Sequence, residues 1–362
     1  MNTLKKEKTK NNLRVLFGPI HIAGNFLGYS QGLSSLGVSS KIVLTKKHSF
    51  EYNDKNTEYL GNKIDLNKVN LKFDKGRIRG SFNLSNYKFL KFIDKFDIFH
   101  FTFGHSLLSE NRDIPILKSK GKKIVMQFCG CDIRCRDIVT SENRKASPCT
   151  DCRIECITAQ KRDTVKFWET HADAIISHPE YSQLLTKPYH YFIIGIDPDK
   201  WDEGKLQENS VPLIVHAPSM QDVKGTKYIV EAVNSLKNEG YDFEFKLLEN
   251  MPNDELKTIL QKADIVVDQL LCGWYGHLAV ECMALGKPVL AYVDEKWCRQ
   301  VGYAVEVPII NTTKDNIYEN LKKLIKNPGL RKDCGRKSRE YVEKVHDYRK
   351  VAKELLNIYS SI

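Results

Sequence analysis

A chain of 362 residues is too long for one ordinary core and suits two, and 41% hydrophobic with 10% aromatic residues can fill both. No stretch is apolar for long enough to span a membrane. The charged start, Met1 to Lys10, has no apolar segment behind it, so it does not read as a secretory signal and the expected compartment is the cytosol. The net charge of +11 favours an anionic partner, which could be a nucleotide sugar, an anionic membrane face or a nucleic acid.

After a polar start ending near Asn12, Arg14 to Gly18 reads as a first strand. A loop from Pro19 to Asn25 and a helix ending near Gly37 follow, a Rossmann-like opening without the G-x-G-x-x-G fingerprint. Lys41 to Leu44 is a second strand, and the polar stretch from Lys46 to Ser85 reads as loop with short strands. Asp97 to Phe101 and Lys123 to Phe128 are clear apolar strands. Ligands of parallel sheets bind beyond the carboxyl ends of strands. That rule directs attention to His100, Thr102, Gly104 and His105, then to Cys129, Gly130, Asp132 and Arg134. Asp132 can serve as a base toward a hydroxyl or as the cap of a turn.

Six cysteines crowd residues 129–156. The economical tetrahedral set is Cys135, Cys149, Cys152 and Cys156, which predicts a structural zinc in an irregular insertion. Plain thiols, an iron–sulfur cluster and disulfides stay open as alternatives. Lys161 to His171 reads as a helix that buries Trp168, Ala172 to Ser177 as a strand, and His178 to Glu180 as the start of a short helix. The polar run Asp199 to Ser210 is the expected domain linker.

Leu213 to Ala217 opens a second Rossmann-like unit. His216, Ser219 and Lys224 follow its strand end, and an amphipathic helix runs through Val230, Val233 and Leu236. Phe243 to Leu248 is a strand, Asn253 to Lys262 a helix and Ala263 to Asp268 a buried strand. The stretch Gly273-Trp274-Tyr275-Gly276-His277-Leu278-Ala279-Val280-Glu281-Cys282-Met283-Ala284-Leu285-Gly286-Lys287-Pro288 then reads as a glycine turn, a helix and its stop. Backbone N–H groups and the positive dipole end at such a turn suit a phosphate, and Glu281 is placed to reach ribose hydroxyls. From about Asp315 the chain is helical and basic. A membrane-facing role is one reading of those helices.

That stretch resembles the signature of the retaining GT-B glycosyltransferases of group 1, also called family 4. Their pattern is Glu, seven residues, Glu, then Ala-Met-Ala-x-Gly-x-Pro, with Glu281 on the second glutamate. Ile194-Gly195-Ile196-Asp197 resembles their passage between domains, and His346 to Ala352 their closing helix. The resemblance implies an α/β fold of two Rossmann-like domains facing across a cleft. Residues 13–197 would be the acceptor-side domain with its Cys-rich insertion at 129–156, and residues 211–345 the nucleotide-sugar domain. Residues 346–362 would return to the first domain.

It implies a nucleoside-diphosphate sugar as donor and a glycan or lipid-linked acceptor, with transfer under retention and no metal required, in bacterial surface-polysaccharide or glycoconjugate assembly. Lys224 would meet the diphosphate. Gly24, His216, Ser219, Met251, Gly273, Tyr275, Gly276, His277 and Glu281 complete the expected donor site, and Asp132 and His105 join Lys224 as catalytic candidates. Gly273, Ser219 and Cys129 stand where the family usually has glutamate, arginine and histidine. These departures keep open a GT-B-like nucleotide- or glycan-binding protein without transfer activity. No nucleic-acid recognition motif is present, and no nucleic-acid partner is expected.

Overall fold

The computed structural model describes residues 13–45, 57–141, 146–201, 209, 211–303 and 306–362. The polar start, part of the Lys46 to Ser85 stretch, residues 142–145 of the insertion and most of the expected linker lie outside the described residues. The chain divides into two compact units. The first comprises residues 1–134, 159–195 and 348–362, and the second residues 135–158 and 196–347.

The first unit is built on a parallel sheet of seven strands. These are β1 (Arg14–Gly18), β2 (Ser39–Leu44), β3 (Thr57–Tyr59), β6 (Ile98–Thr102), β7 (Lys123–Gln127), β8 (Ala174–Ser177) and β9 (His190–Tyr191), in the order β3-β2-β1-β6-β7-β8-β9. An antiparallel hairpin of β4 (Lys72–Asp74) and β5 (Arg77–Arg79) stands apart from the sheet. β6 and β8 are buried along their whole length, as strands covered on both faces must be.

The helices of this unit are α1 (Asn25–Ser35), α2 (Leu84–Ile93), α3 (Ile114–Ser119), α5 (Thr158–His171) and the closing α13 (Tyr348–Ser361). α13 lies against α1, where Val351, Ala352, Leu355 and Tyr359 join Phe17, Phe26 and Leu33 in the core. Gly32 permits that approach: a Cβ there would stand 2.3 Å from the Tyr348 carbonyl oxygen. Trp168 on α5 is buried and its indole N–H donates to the Gly104 carbonyl at 3.0 Å. Residues 178–181 form a turn closed by Tyr181 N–H on the His178 carbonyl, and the short helix expected there is absent. The Ser182 hydroxyl takes the His178 carbonyl that a continuing helix would use.

The second unit carries a five-stranded parallel sheet of β10 (Leu213–His216), β11 (Glu244–Leu247), β12 (Ile265–Val267), β13 (Val289–Ala291) and β14 (Ile310–Asn311). The order is β11-β10-β12-β13-β14. Its helices are α4 (Arg136–Ser141), α6 (Gln221–Lys224), α7 (Thr226–Asn238), α8 (Asn253–Lys262), α9 (His277–Ala284), α10 (Glu295–Val301), α11 (Ile317–Lys326) and α12 (Pro328–Tyr341). Local signals explain their ends. Pro252 precedes α8, which carries Asp254 and Glu255 in its first turn and Lys262 in its last. Asn327 caps α12 by accepting from Leu330 N–H at 2.9 Å.

The Cys-rich insertion, assigned from sequence to the first domain, has its contacts in the second unit from residue 135 to 158. Asp151 accepts from Lys227 Nζ at 3.0 Å and from the Tyr228 hydroxyl at 3.0 Å. Arg153 lies 3.3 Å from Asp222, and Ala146 packs with Leu271 and Tyr292. Burial works against the Asp151 charge, but the lysine and tyrosine hold its carboxyl below the usual range.

Candidate donor site in the second unit

Chain direction places three loops at the carboxyl ends of β10, β12 and β13, the edge where open parallel sheets take ligands. Lys224 closes the short helix after β10, and Gly225 in the left-handed region (φ +80°) turns the chain into α7. The Lys224 ammonium lies 2.9 Å from Asp268 Oδ1 and also donates to Gln269 Oε1. Gly276 N–H, at the start of α9, donates to Asp268 Oδ2 at 3.0 Å. Asp268 is fully buried and Lys224 nearly so, with 16% of its side chain exposed. A cation from one loop and a helix-start amide from another thus meet on one carboxylate.

Glu281 lies on α9 just past this group. It is half-buried and its side chain has no hydrogen-bond partner among the described residues. Burial, opposed by Lys257 and reinforced by Asp268, pushes its carboxyl up to about 8. Such a group suits hydroxyl partners. His277 opens α9, half-buried, Met251 is half-buried after β11, and Ser219 is exposed.

Two expected donor contacts are core residues. His216 donates from Nδ1 to the Val267 carbonyl at 2.8 Å and accepts from the Thr226 hydroxyl at Nε2, also at 2.8 Å. Burial pushes it down to about 4. Both ring nitrogens are used in holding β10, β12 and α7 together. The Tyr275 hydroxyl meets Tyr341 at 2.8 Å and His346 Nε2 at 3.0 Å, and its ring stacks on Trp274. Tyr275 therefore anchors the turn from behind. Gly273 is buried, and a Cβ there would lie 3.2 Å from Trp297 Nε1 and 3.3 Å from Asp294 Cβ. Asp268 and Gln269 were missed from sequence. The available signal was an acid at the carboxyl end of an apolar strand.

In the first unit the strand-end residues of β6 and β7 are engaged within the fold. Asp132 accepts from Cys129 N–H at 3.0 Å and from Gly130 N–H at 2.7 Å. Burial lifts its carboxyl to about 6 although those two donors pull it down. This is the turn-capping alternative, with both oxygens committed. Arg134 pairs with buried Glu180 and lies over the Tyr181 ring. His100 sits between the Tyr359 hydroxyl at 2.7 Å and Gln127 Oε1 at 3.1 Å, pushed down to about 3 by burial. His105 is exposed, and Gly24 precedes α1 in the left-handed region.

Among the described residues no three His, Cys, Asp or Glu side chains are placed to hold one metal ion. Cys135 is buried, while Cys149, Cys152 and Cys156 are half-buried on a segment fastened through Arg136, Asp151 and Arg153.

Residues 240–341 match the family model described as glycosyl transferases group 1. Within the second unit this stretch is similar to the group 1 glycosyltransferase domain. The match takes in β11, β12, the glycine turn, Glu281 and α12. Comparison with curated proteins finds no match. Among solved structures, a glycosyltransferase from Rickettsia africae aligns over 97% of this chain and 98% of its own. It is 15% identical, with a TM-score of 0.61. An Anabaena protein, HepE, in complex with UDP-glucose aligns over 97% and 100% at 11% identity and a TM-score of 0.60. Sucrose-phosphate synthase from Thermosynechococcus elongatus aligns over 97% and 98% at 11% identity and 0.57. These likenesses establish a GT-B fold across the chain.

Proposed function

We propose that this protein transfers a sugar from a nucleoside-diphosphate donor to a hydroxyl acceptor. One observation carries the reading: Lys224 and the Gly276 amide already converge on an anion, the Asp268 carboxylate. A diphosphate oxygen presents the same charge and acceptor geometry to the same two donors. Glu281, half-buried with no side-chain partner among the described residues, supplies a ribose contact one turn further along α9. As the diphosphate leaves, its growing charge is met by the lysine and the helix-start amide. Asp268 must then share or yield both donors.

Two structural neighbours support the donor class, since one holds UDP-glucose and another UDP. Retention and a glycan or lipid-linked acceptor rest on the resemblance to group 1 enzymes. The test is a thermal-shift panel of nucleoside diphosphates and their sugars on wild type, Glu281→Gln and Lys224→Gln. A ligand near a hundred times its dissociation constant stabilises by about 2.7 kcal/mol. A shift with one base that both substitutions remove supports the donor site, and proton NMR of the product's anomeric centre then reads the stereochemistry. No shift with any nucleotide overturns it.

A second reading has its own observation. Gly273 stands where the family has a glutamate, and Trp297 and Asp294 close the space beside it. Nucleotide binding without transfer or donor hydrolysis would favour a binding protein over an enzyme.

A further inference from the structure

Residues 69–95 of the first unit carry basic and apolar groups outward together. The segment is anchored from beneath by buried Val69 and Leu71 and by the inner face of α2, Phe89, Phe92 and Ile93. Its connecting loop is tied together by hydrogen bonds. Asn86 Nδ2 donates to Asn70 Oδ1 and to the Ser81 carbonyl, both at 2.7 Å, Asn70 N–H donates to Asn86 Oδ1 at 3.0 Å, and Asn83 caps α2 through Asn86 N–H at 2.8 Å.

Phe82 lies between two residues pinned by this network, and its side chain is fully exposed. Leu84 is 65% and Tyr87 58% exposed. Leu84 and Tyr87 are three residues apart on α2 and share a face, which continues through Lys88 and Lys91, with exposed Lys95 in the turn just after the helix. The Lys91 ammonium lies 5.8 Å from the Tyr87 ring centre. Before Phe82 in the chain, the β4–β5 hairpin adds exposed Lys72, Lys75 and Arg77. The two acids of the segment are already committed, Asp74 to Arg79 at 3.4 Å and Asp94 to Lys120 at 2.8 Å. These six cations have no ion pair among the described residues.

We propose that this face is a docking surface for an anionic lipid bilayer. Phe82, Leu84 and Tyr87 would enter the headgroup layer while the cations of hairpin and helix meet lipid phosphates. Side chains of this kind, apolar at the tip and ringed by lysine and arginine, match both layers of such an interface. The C-terminal helices, the sequence's own suggestion for a membrane face, are a poorer fit. Arg336 pairs with Asp333 and Glu340, Lys337 with Asp333, and Arg339 with Glu343. The proposal does not depend on the donor-site reading, so either can fail alone.

The test is co-sedimentation of the full chain with vesicles of phosphatidylglycerol and phosphatidylcholine in equal parts, against vesicles of phosphatidylcholine alone. Binding is expected only to the mixed vesicles, falling as salt rises. The triple variant Phe82→Ser, Leu84→Ser, Tyr87→Ser should lose about tenfold or more in affinity. The variant Lys88→Gln, Lys91→Gln, Lys95→Gln should weaken binding and flatten its salt dependence. Arg336→Gln with Lys337→Gln should change neither. All these side chains are exposed, and an unchanged melting temperature confirms intact folding. Phe82→Trp gives a reading independent of lost binding, since vesicles with brominated acyl chains should quench its emission.

Absence of binding to the mixed vesicles overturns the proposal. So does binding that survives the apolar triple substitution, or a dimer in solution that this substitution abolishes. The last result would assign the face to a second copy of the chain.

Discussion

Each unit ends a buried parallel strand with a carboxylate that accepts backbone N–H groups, and the two carboxylates do different work. Asp132 follows β7 and takes its donors from residues two and three positions away, so it closes its own turn. Asp268 follows β12 and takes a lysine 44 residues away and the amide that opens α9. The first arrangement is self-contained. The second ties the loop after β10 to the loop after β12 around a charge that a ligand can replace. A strand-end acid is thus a candidate for binding when a cation from another loop joins its own turn's donors, and a turn element when all its donors come from its own turn.

Substitutions can break this contrast. The largest effect is expected beside Asp132. Glu180→Ala leaves Arg134 buried without its partner and should lower the unfolding free energy by about 3–5 kcal/mol in urea titration. Nucleotide affinity should be unchanged. A loss of nucleotide binding in folded protein would erase the distinction between the two strand ends.

Next, Gly273→Glu restores the family's residue but drives a side chain against Trp297 and Asp294. It should cost about 1–3 kcal/mol and bring no gain in turnover. A gain would mean that the glycine merely lacks a catalytic group.

Comparable in size and more specific is Lys224→Gln. Loss of a charge-assisted bond to the diphosphate, worth about 1.5–3 kcal/mol, should weaken nucleotide binding by about tenfold or more in calorimetry. Asp268→Asn should move affinity the opposite way, because it removes the competing negative charge. If both weaken binding alike, Asp268 positions the lysine and does not compete for it.

The contrast also has a signature in pH. Glu281 rises from about 4.5 unfolded to about 8 folded, so the folded state holds the extra proton between those values. Stability is therefore lost as pH climbs through that window, and Glu281→Gln should flatten the slope. His216 is pushed from 6.5 down to about 4, so its contribution is present above 6.5 and lost as pH falls toward 4. Melting temperatures across pH, for wild type and Glu281→Gln, measure both limbs.

Much of the backbone was legible in the sequence. The helix Asn253–Lys262 was placed to the residue because Pro252 starts it and its terminal charges follow the helix dipole. The strands Leu213–His216 and Ile265–Val267 showed as apolar runs, each ending within two residues of expectation. The Gly276 turn and α9 were readable because strand, turn, helix and stop are neighbours in the chain.

Side-chain duty was legible only where partners are close in sequence, as for Asp132 with Cys129 and Gly130. His216 finds Val267 across 51 residues and Tyr275 finds His346 across 71, so nothing nearby marked them as core. The Cys-rich insertion follows the same logic. Its spacing suggested a metal, and nothing in that spacing announced that Asp151 meets Lys227 and Tyr228 more than seventy residues on.

The sequence by itself determined the alternation of strands and helices, the two-unit α/β plan and the group 1 signature, because periodicity, caps and glycine turns are local. Only the tertiary structure decided which polar groups are spent inside the protein and which remain to meet a ligand. Burial and long-range pairing set that outcome, and neither is written in the spacing of residues along a chain.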